Sequence, residues 1–394
     1  MEASTPFSNI PNDITRQIFL QLPMKFVIRC LCVCKPWRSL IEDSDFKLSY
    51  RGQRRVVFFS YEYSTRQDSR FIVKSTSHDL RLQTHKWPFE GAYPLCSCNG
   101  FVLLVAKRKI WLWNPSTRCL TKVFKSPYQE KSRDITGAGL CYDSYTRDYK
   151  AVLLLHRSIS GYPFLISVSF NHKEWRPVQA PCNLDSIRGG IEFRNTFYWW
   201  ASDDIKNQNW YRVAGRNRII YFDPMHDEFR ILPTPDLWHQ RKNEIVGLGV
   251  IDECLCMASS MVKDEEEPKM KTIQIWIMKE YGKQESWMTA FAIQMPHLHL
   301  GDIYGRYSGI TFYSQNKNAQ EVLFLLLGGW CGKQIYVYDR KKNKLKEDLI
   351  DFLTGHRFYV RGYFYIESFA CPDRPQYNGL IWRGDDDKPS TNTT

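Results

Sequence analysis

The chain has no apolar run near the roughly 18 to 20 residues that a membrane-spanning helix needs, which excludes an integral helical membrane protein. Its first residues, MEASTPFSNIPNDITRQIF, place polar and charged side chains where a secretory leader has an unbroken apolar core. The expected location is therefore the cytoplasm or the nucleus, and the 12 Cys are expected to be reduced there. Phosphate-binding GxxxxGKS/T and GxGxxG, zinc-binding HExxH and the nucleophile pattern GxSxG are all missing. Cys96-x-Cys98, Cys254-x-Cys256 and Cys30-x-Cys32-x-Cys34 have sulfurs two apart, the look of one strand face, without a second pair at zinc spacing. His297-x-His299 has only Asp302 nearby, and Gly137-x-Gly139 and Gly247-x-Gly249 open strands rather than strand-to-helix turns. No metal, no cofactor and no catalytic residue are expected.

Aromatic residues, by contrast, are plentiful, at 15% of 394 residues. Many fall in alternating runs such as IWLWN (110–114), FYWW (197–200), IQIWIM (273–278) and IYVYD (335–339), closed by Asn, Asp, Pro or Gly. Aromatic and β-branched residues at period two, ended by turn formers, read as strands. After residue 50 no segment of ten or more shows helical periodicity. The first fifty residues differ. Asn12 and Asp13 offer caps for a helix with Ile14, Ile18 and Leu22 at steps of four, stopped by Pro23. Met24 to Cys30 gives a second helix with Val27, Ile28 and Leu31, and Pro36 opens a third with Trp37, Leu40 and Ile41. Three helices in roughly 45 residues enclose little core and should leave apolar surface to bury on something else.

The run Ile10-Pro11-Asn12-Asp13-Ile14, then Ile18, Leu22-Pro23, Lys25, Arg29, Val33-Cys34-Lys35-Pro36-Trp37-Arg38-Ser39-Leu40-Ile41 and Phe46, resembles an F-box, with Ile-Pro where that family usually opens Leu-Pro. The resemblance covers residues 6–48. It implies docking on a Skp-type adaptor, and through it a cullin scaffold, by a set drawn from Pro11, Ile14, Ile18, Leu22, Pro23, Val27, Leu31, Val33, Trp37 and Leu40.

Beyond residue 50 the chain repeats. Strand–turn–strand units begin near Val56, Ile110, Leu165, Ile219, Ile273 and Ile335, about 55 residues apart, and most are preceded by another hairpin. Two hairpins per repeat means four strands per repeat, as in propeller blades. Residues 50–384 have room for about six blades, with the last strand closing on the first, and residues 385–394 read as a disordered tail. The expected fold is thus a small all-α F-box of three helices followed by a large all-β, propeller-like domain.

The same segments resemble the F-box-associated, kelch-like domain of plant F-box proteins, a group that includes the S-locus F-box proteins. The shared residues are Cys98-Asn99-Gly100, Trp113-Asn114-Pro115 with Thr117-Arg118, Tyr142-Asp143 with Asp148-Tyr149-Lys150, Trp175-Arg176, Phe222-Asp223, Glu228-Phe229, Trp276-Ile277-Met278, Tyr281-Gly282, Ser286-Trp287 and Glu367-Ser368. Trp113, Trp175, Trp276 and Trp287 are expected to fill space between sheets.

The formal charge is +12, from 54 Lys and Arg against 42 Asp and Glu. Lys107-Arg108-Lys109 and Arg340-Lys341-Lys342 sit at expected hairpin tips and are the candidates for meeting an acidic target surface. The basic residues form no continuous stripe with aromatics, so nucleic acid is not an expected partner, nor is a membrane. The resemblance implies a non-catalytic receptor that holds a target protein for ubiquitination and degradation. The competing classes are a propeller enzyme of glycosidase or oxidase type, which needs carboxylates or metal ligands converging on the central channel, and an F-box scaffold that does not promote degradation.

Overall fold

A computed structural model of the chain describes residues 10–369 apart from 53, 63–69, 76–81, 87–92, 107–108, 118, 126–134, 157–162, 203–216, 236–242, 262–269, 297–308, 315–319, 328–334 and 347–357. The histidine pair at 297 and 299, Lys107, Arg108 and the tail at 385–394 lie outside the described residues.

Four helices come first: α1 (Asn12–Gln21), α2 (Met24–Cys30), α3 (Lys35–Glu42) and α4 (Ser44–Ser49). The sequence reading gave three. The fourth forms because the Asp43 carboxylate accepts the Phe46 N–H (2.9 Å), capping a six-residue turn with no apolar period of its own. The cap expected at Asn12 and Asp13 is also absent: Pro11 precedes α1 and no side chain caps it. Within α1 the buried residues are Thr15 and Phe19, so the Ile14–Ile18 row points away from the module's own core. That core consists of Phe19, Met24, Val27, Leu31, Ile41, Phe46 and Tyr50, with Leu22, Trp37 and Leu40 packed against it.

Among the described residues the strands form four four-stranded antiparallel sheets and one eight-stranded sheet that joins two further sets of four, six blades in all, with an end strand of each set innermost. The second blade is β4 (Tyr93–Cys98), β5 (Phe101–Ala106), β6 (Lys109–Asn114) and β7 (Cys119–Lys125). The third is β8 (Ile135–Asp143), β9 (Asp148–His156), β10 (Pro163–Ser169) and β11 (Trp175–Val178), and the fourth is β12 (Arg188–Phe193), β13 (Thr196–Ser202), β14 (Asn217–Asp223) and β15 (Glu228–Leu232). The fifth is β16 (Asn243–Ile251), β17 (Cys254–Met261), β18 (Met270–Met278) and β19 (Trp287–Pro296), and the sixth is β20 (Gly309–Ser314), β21 (Glu321–Leu327), β22 (Ile335–Asp339) and β23 (Lys344–Lys346). The first blade takes β1 (Arg54–Glu62), β2 (Arg70–Ser75) and β3 (Leu82–Lys86) from the start of the domain, but its innermost strand is β24 (Phe358–Ile366) from the end. β24 and β1 pair along nine residues, from Arg54 opposite Ile366 to Glu62 opposite Phe358. This closure leaves no open edge between first and last blade.

One pairing among the described strands is parallel. The inner strands β16 and β20 run side by side and pair in parallel over four residues, joining two blades. Glycine permits it: a Cβ on Gly247 would lie 2.0 Å from the Ile310 carbonyl oxygen, and one on Gly249 would lie 2.2 Å from the Phe312 ring.

Third strands end in a recurring turn. Asn114 Oδ1 accepts the N–H groups of Ser116 and Thr117, Asp223 Oδ1 that of Met225, and Asp339 Oδ1 those of Lys341 and Lys342. Between blades the core is apolar, and the Trp residues serve it: Trp113 and Trp287 are buried, while Trp276 and Trp175 are half-buried. Trp287 Nε1 donates to the Pro233 carbonyl (2.8 Å), tying the fifth blade to the fourth.

Cys96, Cys98, Cys141 and Cys256 are buried free thiols, and burial pushes their pKa values up, that of Cys141 to about 12, which makes them inert core residues. The expectation that every cysteine is reduced does not hold for Cys119, which is disulfide-bonded.

Candidate functional site

The inner strands run toward the helices, so the propeller has a helix-proximal end and a distal end. The proximal end is fixed by the residues that follow β24. Glu367 accepts the Gly52 N–H through its carbonyl (3.0 Å) and pairs its carboxylate with Arg55. Ser368 accepts Nδ2 of the buried Asn114 (2.9 Å) and sits so close to Gly100, at φ +87°, that any Cβ there would collide with it. Phe369 then enters the helical core, its ring 4.9 Å from that of Tyr50 and 6.3 Å from that of Phe46. Tyr50 Oη donates to the Leu22 carbonyl (2.8 Å), and burial raises that phenol well above its ordinary range.

The sequence-derived docking residues divide. Val27 is 0% exposed and Leu31 8%, so these two fall on the core side of the expected division and hold the module together. Leu22, Pro23, Trp37 and Leu40 are half-buried, Trp37 by an edge-on contact with Phe19 (5.0 Å). Pro11, Ile14, Ile18 and Val33 are exposed, Ile14 and Ile18 at 47% and 45% and Val33 at 62%. Phe26, at 47%, joins them and was not expected, because α2 is too short to declare which of its apolar residues face inward. Large apolar side chains held outward on so small a module mark a surface made to be covered.

Of the first basic tip only Lys109 is described, and it does not meet the second tip. Asn114, at the end of β6, touches Ser368 at the proximal end, so Lys109, at the start of the same strand, lies at the distal end, where it is exposed. Arg340, Lys341 and Lys342 follow β22 at the proximal end, where Arg340 pairs with Asp252 of the neighbouring blade (3.0 Å). Lys109 and the turn at 340–342 therefore lie at opposite ends of the propeller.

The central channel holds a cavity of about 110 Å³ whose lining comes from four blades and from β24. Its one carboxylate among the described lining residues is Glu192, and its one cation is Arg188. Glycosidase chemistry requires two carboxylates roughly 5 to 9.5 Å apart, and this lining supplies one. Asp223, His226 and Glu228 cluster on a proximal turn, but Arg230 already pairs with both carboxylates there (3.0 and 2.9 Å). Among the described residues, no helix is long and apolar enough to cross a membrane.

Comparison with known proteins agrees with this geometry. Residues 7–49 match the F-box domain, and residues 57–369 match the F-box associated beta propeller domain. The chain is similar to the Arabidopsis thaliana F-box protein CPR1, 26% identical over 327 residues, covering 73% of this chain and 74% of that one. It is equally similar to the Arabidopsis thaliana F-box/kelch-repeat protein At3g23880, 26% identical over 306 residues, covering 72% and 79%. Among solved structures it is distantly similar to the Dos1 propeller, with a TM-score of 0.34, 13% identity and coverage of 75% and 76%. A helical module matched as an F-box, joined to a six-bladed propeller matched over most of its length, means that the chain belongs to the family of F-box proteins with an F-box-associated β-propeller domain.

Proposed function

We propose that this protein is the substrate-recognition subunit of a Skp–cullin–F-box ubiquitin ligase. The helical module binds the Skp-type adaptor through Pro11, Ile14, Ile18, Phe26 and Val33, and the propeller holds a target protein. The receptor itself performs no bond chemistry. It raises the effective concentration of a target lysine beside a charged ubiquitin carrier, and the carrier supplies the reactive bond. Ubiquitination marks the target for degradation.

The observation that carries this reading is the outward-facing row Ile14–Ile18 on a helix whose inward face, Thr15 and Phe19, is already satisfied. An exposed isoleucine pair serves no folding purpose, and burying it against a partner contributes roughly 25 cal/mol per Å² of apolar area removed from water. Replacing Ile14 and Ile18 by Asp places two charges on that face without touching the module's core. Adaptor binding by the full chain should weaken at least 30-fold while the thermal unfolding curve stays in place. Undiminished binding of this double variant would exclude the row as the docking face.

A further inference from the structure

The buried carboxylate in the channel uses one oxygen to close the β12–β13 turn and has a second to spare. Glu192 is only 9% exposed. One of its oxygens accepts the Asn195 N–H (2.8 Å), and the other makes no hydrogen bond or ion pair among the described residues. Burial pushes its pKa up, and the opposing pull of Arg54, the Asn195 N–H and Arg51 does not bring it back to the ordinary range. Its surroundings thus leave part of a negative charge uncompensated. Arg54 is stacked on the Tyr313 ring, 4.4 Å from its centroid, on the proximal side. Toward the distal side Glu192 borders the cavity, whose walls include Phe197, Trp199, Tyr363 and Phe364 and whose rim includes Thr136 and Arg188. Arg188 is turned back on the segment that precedes β12, with Nη1 donating to the carbonyls of Asp185 and Ile187.

Size and chemistry together narrow what fits. About 10 to 15 Å³ of such space holds one water molecule, so about 110 Å³ takes several waters or the end of one side chain. A drug-sized ligand needs roughly 300 Å³ or more. An anion would meet Glu192 head on, and a purely apolar group would leave its second oxygen unpaired. A compact cation on an apolar stem satisfies both parts: the stem lies along aromatic walls, which also attract positive charge through their faces, and the charge meets the carboxylate.

We infer that the channel cavity is a receptor pocket for the end of one lysine side chain presented by the target protein, with Glu192 as its counter-ion. This rests on the proposed role as a target receptor and deepens it, by placing one recognition contact at the distal end, away from the adaptor. Lysine fits better than arginine because its ammonium is compact and its four-carbon stem is flexible, whereas a guanidinium is a broad plane.

The test uses the full chain and n-butylammonium, the lysine side chain without its backbone, with butyrate, n-butanol and n-propylguanidinium beside it. Ligand-observed NMR at low salt should show n-butylammonium binding at least tenfold more tightly than butyrate or n-butanol. Glu192→Gln should weaken that binding at least fivefold. Thr136→Trp, which narrows the rim and leaves Glu192 in place, should abolish it even if the first variant folds poorly. Equal binding of ammonium and carboxylate, or an unchanged affinity in Glu192→Gln, overturns the inference. Binding of n-propylguanidinium as tight as that of n-butylammonium overturns the choice of lysine. Because no adaptor takes part, failure here leaves the ligase reading intact, and failure of adaptor binding leaves this measurement unaffected.

Discussion

Phe369 is the point at which the end of the chain completes the fold of its beginning, and its removal has a calculable consequence. The side chain is 5% exposed and touches the rings of Phe46 and Tyr50 within the helical core. Truncating a buried Phe to Ala costs about 3 to 5 kcal/mol, including the cavity left behind. Such a sum is a large share of the stability of any small domain, let alone one of four short helices. The propeller should hardly notice, because the substitution lies beyond the last residue of β24 and leaves every pairing with β1 in place. Hydrogen exchange followed by mass spectrometry separates the two cases. In Phe369→Ala, amides of α1 to α4 should lose protection by a factor of 100 or more, as follows from about 3 kcal/mol of local stability. Amides of β4, β5, β8 and β9 should exchange as before, and adaptor binding should weaken as the folded fraction of the module falls. Unchanged protection in the helices would refute the claim that Phe369 is part of their core, and simultaneous loss in the propeller would refute the claim that the effect is local. The same logic governs fragments: a piece ending at residue 48 lacks both Tyr50 and Phe369 and should fold poorly even beside its partner.

Two further outcomes follow from single residues. Gly249→Ala forces a Cβ into the Phe312 ring and should destabilise the chain by about 1 to 3 kcal/mol, whereas Gly137→Ala, whose Cβ would meet Leu154 at an ordinary 3.5 Å, should stay within about 0.5 kcal/mol; equal melting temperatures for the two would count against the seam. Glu192→Gln should gain stability relative to wild type as pH rises. Burial raises this carboxyl in the folded state, so the fold holds the proton more tightly than the unfolded chain does, and wild-type stability falls as pH climbs from the unfolded value of about 4.3 through the raised one. Urea unfolding at several pH values should show the Gln-minus-Glu difference widening across that window and flat above it, and a constant difference would sink the assignment.

What the sequence declared and what it hid can be told apart physically. Period-two runs such as IWLWN and IYVYD became β6 and β22 with Ile110 and Ile335 inside them, because alternation is a property of one strand and its two faces. The turn after each third strand was legible in Asn114, Asp223 and Asp339, whose side chains act on backbone groups two or three residues away. The first repeat is a strand–turn–strand unit as expected, but Val56 lies in β1, the second strand of its blade rather than the third, because the innermost strand arrives from more than 300 residues away. Helix phase alone does not tell an inward row from an outward one. Ile14 and Ile18 form a clean apolar row, yet the row that faces inward is Thr15 and Phe19, and only the position of α4 and Phe369 decides between them. Glu192 was hidden because a single Glu in GGIEFRN looks like the polar half of an alternating strand, and its burial comes from Tyr313 and Phe364 on other blades.

The separation of the two ends of the propeller constrains how such a receptor works. A contact at Lys109 or at the channel's distal rim is separated from the adaptor face by the length of the inner strands, about 3.3 Å per residue over the six residues of β4. The proximal end is tied to the helices by Glu367, Ser368 and Phe369, three successive residues that each hold a different partner. In the proposed complex, a target seated at the distal end stands in a fixed position relative to the adaptor, because these contacts tie the two units together. Proximity catalysis benefits from that fixity, since effective concentration falls as the tether loosens. The same rigidity limits which target lysine can reach the ubiquitin carrier. A lysine held in the channel pocket is screened from transfer, so the residue that is recognised and the residue that is modified must be different ones.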